Sequence, residues 1–311
     1  MKILLVNVDS KMPNLALTKI SSYYKSQGHQ TGFAFSNPDK VYVSCIFKKN
    51  LPHARGIRHY YPDSEFHLGG PALWKPNILP DEMEHTMPDY SLYPDMDYSM
   101  GYTQRGCPNN CPFCIVPKLE GSFREHAPIS EFQNPGFNKL VLFDNNFFYS
   151  KLWKEKLTHI RDNGLKVSFN QGLDARLMDE EKSQWLADTA SYNLHFNSKT
   201  YYFSWDLMKN SEAILRGLQR VIDAGIHPRT LMVYMLCGFN TTREEDIDRF
   251  KKLREIGCDP FVMIYNNRRD DVWLRHFARW VNKRIYKSCG FEEYKNGSLS
   301  EIPDKEHSSL L

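Results

Sequence analysis

The sequence predicts an α/β protein in which a small α/β, Rossmann-like domain precedes a partial (β/α)6 TIM-like barrel. The first observation is that, from residue 97 onward, short apolar or aromatic runs alternate with amphipathic helical patterns. Such alternation is typical of parallel strands joined by right-handed helical crossovers. The second observation is a different pattern before residue 96, where four strand-like runs accompany only one convincing helix.

The barrel strands are predicted from runs dominated by apolar, β-branched and aromatic residues, as expected of strands covered on both faces. They are 97–103, 139–144, 166–171, 200–205, 230–237 and 260–266. Helices are predicted at 151–163, at 208–224, between Thr241 and Gly257, and at 271–286. The third of these has two candidate capping boxes, because Thr241 and Thr242 each precede a glutamate by three positions.

The domain limits follow from these patterns. Residues 1–70 form the small α/β domain, with a helix at 14–27 and the four strands KILLVNV, QTGFAF, KVYVSCIF and EFHLGG. Residues 71–96 hold five of the seventeen prolines and are predicted to be a linker. The barrel occupies 97–288, and residues 289–311 are a polar C-terminal tail expected to fray after Gly290.

Composition limits the classes of function. Hydrophobic residues make up 41% and charged residues 25% of the chain, which is ordinary for a globular protein. No apolar run approaches the roughly 20 residues of a membrane span, and the N-terminal apolar run is too short for a signal peptide. A cytoplasmic location without a membrane partner is therefore expected. The net charge of +3 permits a nucleic-acid partner without indicating one.

Three of the seven cysteines, Cys107, Cys111 and Cys114, fall within eight consecutive positions of the stretch RGCPNNCPFCIVP. In the cytoplasm, clustered cysteines are more often metal ligands or catalysts than disulfides. Thiolates on a short loop suit an iron–sulfur cluster. A structural zinc site with His126 or a distant cysteine as fourth ligand is the alternative. Zinc sites of this kind usually pair two C-x-x-C units, and the sequence has no second unit.

The C-x-x-x-C-x-x-C spacing, with Phe113 directly before the last cysteine, resembles the motif of the radical SAM superfamily. The resemblance covers about residues 97–270 and implies a [4Fe–4S] cluster held by the three cysteines, with S-adenosylmethionine (SAM) on the fourth iron. It implies an enzyme that cleaves SAM reductively to a 5′-deoxyadenosyl radical, which abstracts hydrogen from the substrate. The electron donor would be of the flavodoxin or ferredoxin type. A small metabolite or a nucleobase-type group is the expected substrate, and isomerase, oxidoreductase and transferase activities all stay open.

The same resemblance implies cofactor contacts at the strand ends. These residues are Phe113, Asp144, Asn145, Asn146, Asn170, Gln171, Arg176 and Gly238. The Asp-Asn-Asn segment stands where the family usually has a Gly-Gly-Glu stretch, and an ordinary Asx turn is its alternative. Arg176 is either a clamp for the SAM carboxylate or a member of a surface ion pair. Gly238 would let the backbone approach adenine closely.

Two residues are candidates for a catalytic role. Cys237 would serve as a radical relay or hydrogen-atom donor, although a small buried apolar residue is the simpler interpretation. Tyr265, at the end of the sixth strand, would face the substrate. Trp205 is interpreted as core packing rather than as a stacking platform.

The front domain resembles the cobalamin-binding domain of some radical SAM enzymes, in PNLALTKISSYYKSQGH, VYVSC and HLGGP. It lacks the D-x-H-x-x-G motif, so a shortened domain that has lost the corrin is the preferred interpretation. A cobalamin-dependent radical SAM methyltransferase is the alternative. The cysteine loop is also similar to that of tRNA methylthiotransferases, whose additional cysteines and C-terminal β-barrel have no counterpart here. A non-catalytic, metal-stabilised module that binds nucleic acid or protein is the alternative of another class, supported by VNKRIYKSCGFEEYKNG and NNRRDD.

Overall fold

A computed structural model describes residues 1–268 and 270–296 and shows an α/β fold with parallel sheets. By their internal contacts the residues form two compact units. The first unit comprises residues 1–145 and 159–165, and the second comprises 146–158 and the chain from 166 onward. The domain limits at residues 70, 96 and 288 were predicted from sequence patterns and not from contacts. They stay predictions. Among the described residues, no helix has the length and apolar character needed to cross a bilayer.

The strands of the first unit are short, and most of them pair in parallel. Its strands are β1 (Lys2–Asn7), β2 (Gln30–Gly32), β3 (Lys40–Ser44), β4 (Glu65–Gly69), β5 (Ser99–Gly101), β6 (Gln104–Arg105), β7 (Arg124–Glu125) and β8 (Lys139–Leu142). Its helices are α1 (Leu15–Ser26), α2 (Leu51–Gly56), α3 (Asp81–Glu84) and α4 (Val116–Leu119). All four strands and the helix predicted for the front domain are present, and α2 is an additional short helix between β3 and β4.

The front sheet has the order β2-β1-β3-β4 with every pair parallel. Its two faces are covered differently because alternate residues of a strand point to opposite sides. Ile3 and Leu5 of β1 pack with Leu17 and Ile20 of α1. Leu4 of β1 packs on the other face, in the second core cluster of residues Leu4, Val41, Val43, Cys45, Ala54, Ile57 and Ala72.

Residues 71–96 contribute to the core of the first unit. Met83, Tyr90 and Met96 are buried, and Met83 packs against the α1 side of the front sheet. The segment predicted to be a linker therefore also packs into the core of the first unit. Beyond it, β5 pairs with β8 in parallel, and β6 pairs with β7 in a small antiparallel hairpin.

The second unit carries the remaining strands and helices. Its strands are β9 (Lys166–Phe169), β10 (Tyr201–Ser204), β11 (Leu231–Cys237) and β12 (Asp259–Ile264). Helix α5 (Trp153–Asp162) is shared between the units, and the helices that follow are α6 (Glu180–Ala187), α7 (Ser211–Asp223), α8 (Arg243–Glu255), α9 (Val272–Asn282) and α10 (Phe291–Asn296). Strands β10, β11 and β12 form a parallel sheet in that order.

Each predicted barrel strand has an observed counterpart, although β5 and β6 divide the run 97–103 and its continuation. Of the two candidate capping boxes, the one formed is Thr242 with Glu245. Two predictions are corrected. Helix α6 was missed, because its buried positions include only Ser183 and Leu186 and its apolar pattern is weak. The tail does not fray directly after Gly290, because α10 follows with Phe291 and Tyr294 buried. Residues 297–311 lie outside the described residues.

Candidate functional site

The three clustered cysteines lie on one loop of the first unit, residues 106–123, whose two ends are joined by the β6–β7 hairpin. Gly106 begins the loop with a positive φ of 71°. A Cβ atom at this position would lie 2.2 Å from the carbonyl oxygen of Ser122. Only glycine lets the two ends of the loop approach so closely.

Inside the loop the backbone folds back on itself. The amide of Cys114 donates to the carbonyl of Cys111 at 3.0 Å, which closes a turn between these two positions. The side chains of Cys107, Cys111 and Cys114 are all partly exposed, as is Phe113. The three cysteines therefore lie partly at the surface of the first unit.

The donor set of the loop suits a soft metal centre, because three thiolates prefer iron–sulfur clusters or zinc to hard cations. Within residues 1–268 and 270–296, no three His, Cys, Asp or Glu side chains are already gathered at the distances of a metal site. The loop thus offers ligands of the right chemistry on a fixed base.

Two of the predicted cofactor residues hold the base of this loop. The buried carboxylate of Asp144 accepts hydrogen bonds from the amide of Thr103 at 2.7 Å and from the amide of Gln104 at 3.2 Å. The side chain of Asn145 donates to Glu120 at 3.0 Å, and Glu120 also accepts from the amide of Gly106 at 2.9 Å. Both residues follow β8, so the strand end fixes the start and the last turn of the cysteine loop.

Sequence analysis did not find the charged cluster beneath the loop. Glu84 of α3 is only 3% exposed and contacts Lys19 at 3.1 Å, Arg105 at 2.9 Å and His126 at 3.1 Å. The guanidinium of Arg105, directly before the loop, also lies 3.6 Å from the ring centre of Tyr102. We call Glu84, Lys19, Arg105 and His126 the Glu84 cluster. Its members are far apart in sequence, so no local pattern could reveal it.

The Glu84 cluster fixes the charge of its central carboxyl. Burial acts to raise the pKa of Glu84, but the hydrogen bond with His126 and the charges of Lys19 and Arg105 outweigh burial and hold the pKa well below its ordinary value. Burial in turn lowers the pKa of Lys19, against the opposing effect of Glu84. An ionised Glu84 therefore attaches Arg105 to α1 and α3.

Apart from Phe113 on the cysteine loop, the other predicted cofactor residues lie in the second unit. Asn146 donates to Asp174 at 3.3 Å. Arg176 forms a two-point ion pair with the same Asp174, through Nε at 2.7 Å and through the Nη2 nitrogen at 2.5 Å. This contact matches the ion-pair interpretation of Arg176. Asn170 and Gln171 lie in the turn after β9, where Asn170 is partly exposed and Gln171 is exposed.

An open cleft of about 240 Å³ lies at the carboxyl end of β11. Its lining combines backbone, hydroxyl, charged and aromatic groups from Gly238, Phe239, Thr241, Thr242, Arg243, Asp246, Arg268, Asp271, Trp273 and Leu274. Gly238 has a positive φ of 81°, and a Cβ atom there would lie 2.6 Å from Leu274. Its carbonyl accepts a hydrogen bond from Arg268 at 2.9 Å. A residue predicted to approach a ligand thus lines a real cleft.

Arg249, which sequence analysis also missed, fixes the strand ends behind this cleft. It is completely buried and donates to the backbone carbonyls of Trp205 and, at 2.8 Å, of Leu236. Asp246, one turn earlier on α8, pairs with it and accepts from Thr241 at 2.7 Å. A signal was present, because Asp246 and Arg249 share the helix face of buried Phe250 and Leu253.

The two candidate catalytic residues differ in accessibility. Cys237 is completely buried, and burial raises the pKa of its thiol well above the ordinary value. These observations match a small buried residue. Tyr265 is partly exposed and packs edge-on against Phe239, with ring centres 4.8 Å apart. Trp205 is fully buried, as core packing requires.

The front-domain residues that the resemblance associates with a corrin are engaged with the chain itself. The hydroxyl of Ser44 accepts from Asn14 at 2.8 Å. Gly70 lies so close to the backbone that a Cβ would meet the carbonyl oxygen of Cys45 at 2.3 Å. A Cβ at Gly69 would lie 2.9 Å from the side-chain amide of Asn77.

In comparisons with known proteins, no family model matches the chain and no curated protein is significantly similar to it in sequence.

Proposed function

We propose that the protein is a radical SAM enzyme that binds a [4Fe–4S] cluster through Cys107, Cys111 and Cys114. The observation that carries the proposal is the placement of three partly exposed thiols, in the C-x-x-x-C-x-x-C spacing, on a loop anchored to the ends of β6 and β8. Three thiolates leave one iron of a four-iron cluster open to a ligand. When bound, the cluster supplies the electron that breaks a carbon–sulfur bond of SAM, and the radical so formed abstracts hydrogen from the substrate.

The chain's own residues would orient the loop and bind the rest of the cofactor. Asp144, Asn145 and Glu120 fix the loop base, and the Glu84 cluster holds Arg105 in place. In the second unit, the cleft beside Gly238 offers close backbone approach and hydroxyl donors together, which suits a nucleoside. The six strands β5, β8, β9, β10, β11 and β12 would form the partial barrel that shields the reaction from water.

The proposal also names a location, an electron donor and a class of substrate. We propose a cytoplasmic enzyme that takes electrons from a flavodoxin- or ferredoxin-type donor and acts on a small metabolite or nucleobase-type group. Because the D-x-H-x-x-G motif is absent, we propose a shortened front domain that has lost the corrin, with a cobalamin-dependent methyltransferase as the alternative.

Anaerobic reconstitution with iron and sulfide tests the proposal. We expect about four irons per chain, a cluster absorption band, and formation of 5′-deoxyadenosine when SAM and dithionite are added. Changing any one of Cys107, Cys111 or Cys114 to Ala should abolish both iron loading and SAM cleavage while the far-ultraviolet circular dichroism stays unchanged.

Cys289→Ala is the matched control, because Cys289 is also partly exposed but lies outside the loop. It should load iron and cleave SAM like the unchanged protein. Stoichiometric zinc in place of iron would support the metal-stabilised binding module and contradict the enzyme. Retention of full activity in a loop variant would contradict the assignment of the ligands.

A further inference from the structure

The connection from β3 to β4 is rich in cationic side chains. Residues 46–62 contain Lys48, Lys49, Arg55 and Arg58 and no aspartate or glutamate. All four cationic side chains are exposed. Within residues 1–268 and 270–296 none of the four forms an ion pair. None of these four charges is therefore neutralised by a carboxylate of the described residues.

Aromatic rings accompany these cations. Phe47, Tyr60 and Trp74 are 36%, 78% and 52% exposed. The ammonium of Lys48 lies 4.6 Å from the ring centre of Trp74. Trp74 also has a positive φ of 53°, a strained conformation for a residue with a ring side chain. The turns that carry Lys48 and Trp74 are in contact.

The apolar side of this connection is already in use. Ala54 of α2 is completely buried, and Ile57 is 8% exposed, in the core cluster with Leu4 and Val41 of the front sheet. Insertion into a bilayer requires a continuous apolar face on an amphipathic helix. The apolar face of α2 packs against the front sheet. The exposed groups of this connection are therefore mainly cationic side chains and separate aromatic rings.

We propose that this surface, which we call the β3–β4 strip (Phe47, Lys48, Lys49, Arg55, Arg58, Tyr60 and Trp74), binds single-stranded RNA. The cations would contact phosphates, and the exposed rings would stack on unpaired bases. The carboxylates of an acidic protein would pair with the cations, but such a protein would make few stacking contacts with the exposed ring faces. Unpaired bases with accessible faces are typical of RNA loops and ends. The inference goes beyond the proposed function and does not depend on a metal cluster.

Fluorescence anisotropy with the full chain and a labelled single-stranded RNA of about 15 nucleotides tests the inference. Saturable binding should weaken at least tenfold between about 50 mM and about 200 mM salt. DNA of the same sequence should bind equally or more weakly, because it shares the phosphates and rings. Tighter binding of DNA would overturn the assignment to RNA. So would competition by polyglutamate, or by vesicles of phosphatidylcholine and phosphatidylserine, that is as strong as competition by unlabelled RNA.

Three variants locate the binding surface. Trp74→Ala should weaken RNA binding about tenfold through the loss of stacking, and Trp74→Phe should restore most of it. Lys48→Glu combined with Lys49→Glu should weaken binding at least as much and reduce its salt dependence. Lys209→Glu, at an exposed lysine of the second unit, is the charge control and should bind like the unchanged protein.

Unchanged affinity in both Trp74→Ala and the double lysine variant would overturn the inference. Circular dichroism of each variant distinguishes lost binding from lost folding. Because the protein is used without added iron, a negative result here leaves the proposed enzyme untouched. Failure of cluster loading would likewise leave RNA binding measurable.

Discussion

Each unit of the molecule fixes a strand end through one buried charged side chain, but the two side chains use different partners. In the first unit, Glu84 holds three cationic or ionisable side chains from distant segments. In the second unit, Arg249 holds two backbone carbonyls at the ends of β10 and β11, together with Asp246 one turn away on its own helix. The segment before the cysteine loop is therefore anchored by ion pairs between side chains. The strand ends behind the Gly238 cleft are anchored mainly by hydrogen bonds to backbone carbonyls.

Loss of Arg249 should have the largest effect on stability. Arg249→Met leaves Asp246 charged and buried without its partner, and it leaves the carbonyls of Trp205 and Leu236 without their donor. We expect a loss of about 3 to 5 kcal/mol in the free energy of unfolding, measured by urea denaturation. Lys251→Met, at an exposed position of the same helix, should stay within about 0.5 kcal/mol. Equal stability of the two variants would show that Arg249 is not the anchor of these strand ends.

Removal of the central charge of the Glu84 cluster should come next. Glu84→Gln leaves the buried ammonium of Lys19 and the partly buried guanidinium of Arg105 without their shared counter-charge, at a cost of about 3 kcal/mol. Because Arg105 then loses its anchor, iron loading by the cysteine loop should also fall. Glu82→Gln, at an exposed position of α3, is the control for both measurements. Unchanged stability and iron content in Glu84→Gln would separate this cluster from the cysteine loop.

The base of the loop can be strained without changing any charge. Gly106 and Gly121 both have positive φ, but only at Gly106 would a Cβ collide with backbone. Gly121→Ala should cost about 1 kcal/mol from the left-handed conformation alone. Gly106→Ala should cost about 2 to 3 kcal/mol and lower the iron content, measured on reconstituted protein. If both alanine variants bound iron equally well, closure of the loop ends would not matter for the site.

The anchor formed by Glu84 should also respond to acid. The folded-state pKa of Glu84 is depressed, so its contribution is fully present above the ordinary pKa of 4.5 and is lost as the pH falls toward the folded value. The unchanged protein should lose about 2 kcal/mol more than Glu84→Gln between pH 7 and pH 3. Parallel pH profiles for the unchanged protein and Glu84→Gln would contradict this assignment.

The regular part of the fold was predictable from the sequence, because periodicity and turn residues are local signals. Strands such as β11 and the capped helix α8 appear where the apolar runs and the Thr242–Glu245 pattern place them. Helix α6 was missed because Ser183 occupies a buried position that an apolar residue usually marks. The tail helix α10 was missed because its polar composition hides the two buried rings of Phe291 and Tyr294.

The candidate site was predictable only in part. The spacing of Cys107, Cys111 and Cys114 is a local motif, and the cleft beside Gly238 lies after the strand where a ligand contact was expected. The contacts of Asp144 and the Glu84 cluster depend on partners 21 to 65 positions away. Such partners are chosen by tertiary structure, and one sequence carries no local trace of the choice.

Mössbauer spectroscopy of protein reconstituted without oxygen, using isotopically enriched iron, tests the central claim most directly. The account predicts a four-iron cluster in which one iron changes its signal when SAM is added, while the Cys111→Ala variant shows no such cluster. An absence of cluster iron from well-folded protein, or a four-iron signal that SAM leaves unchanged, would contradict it.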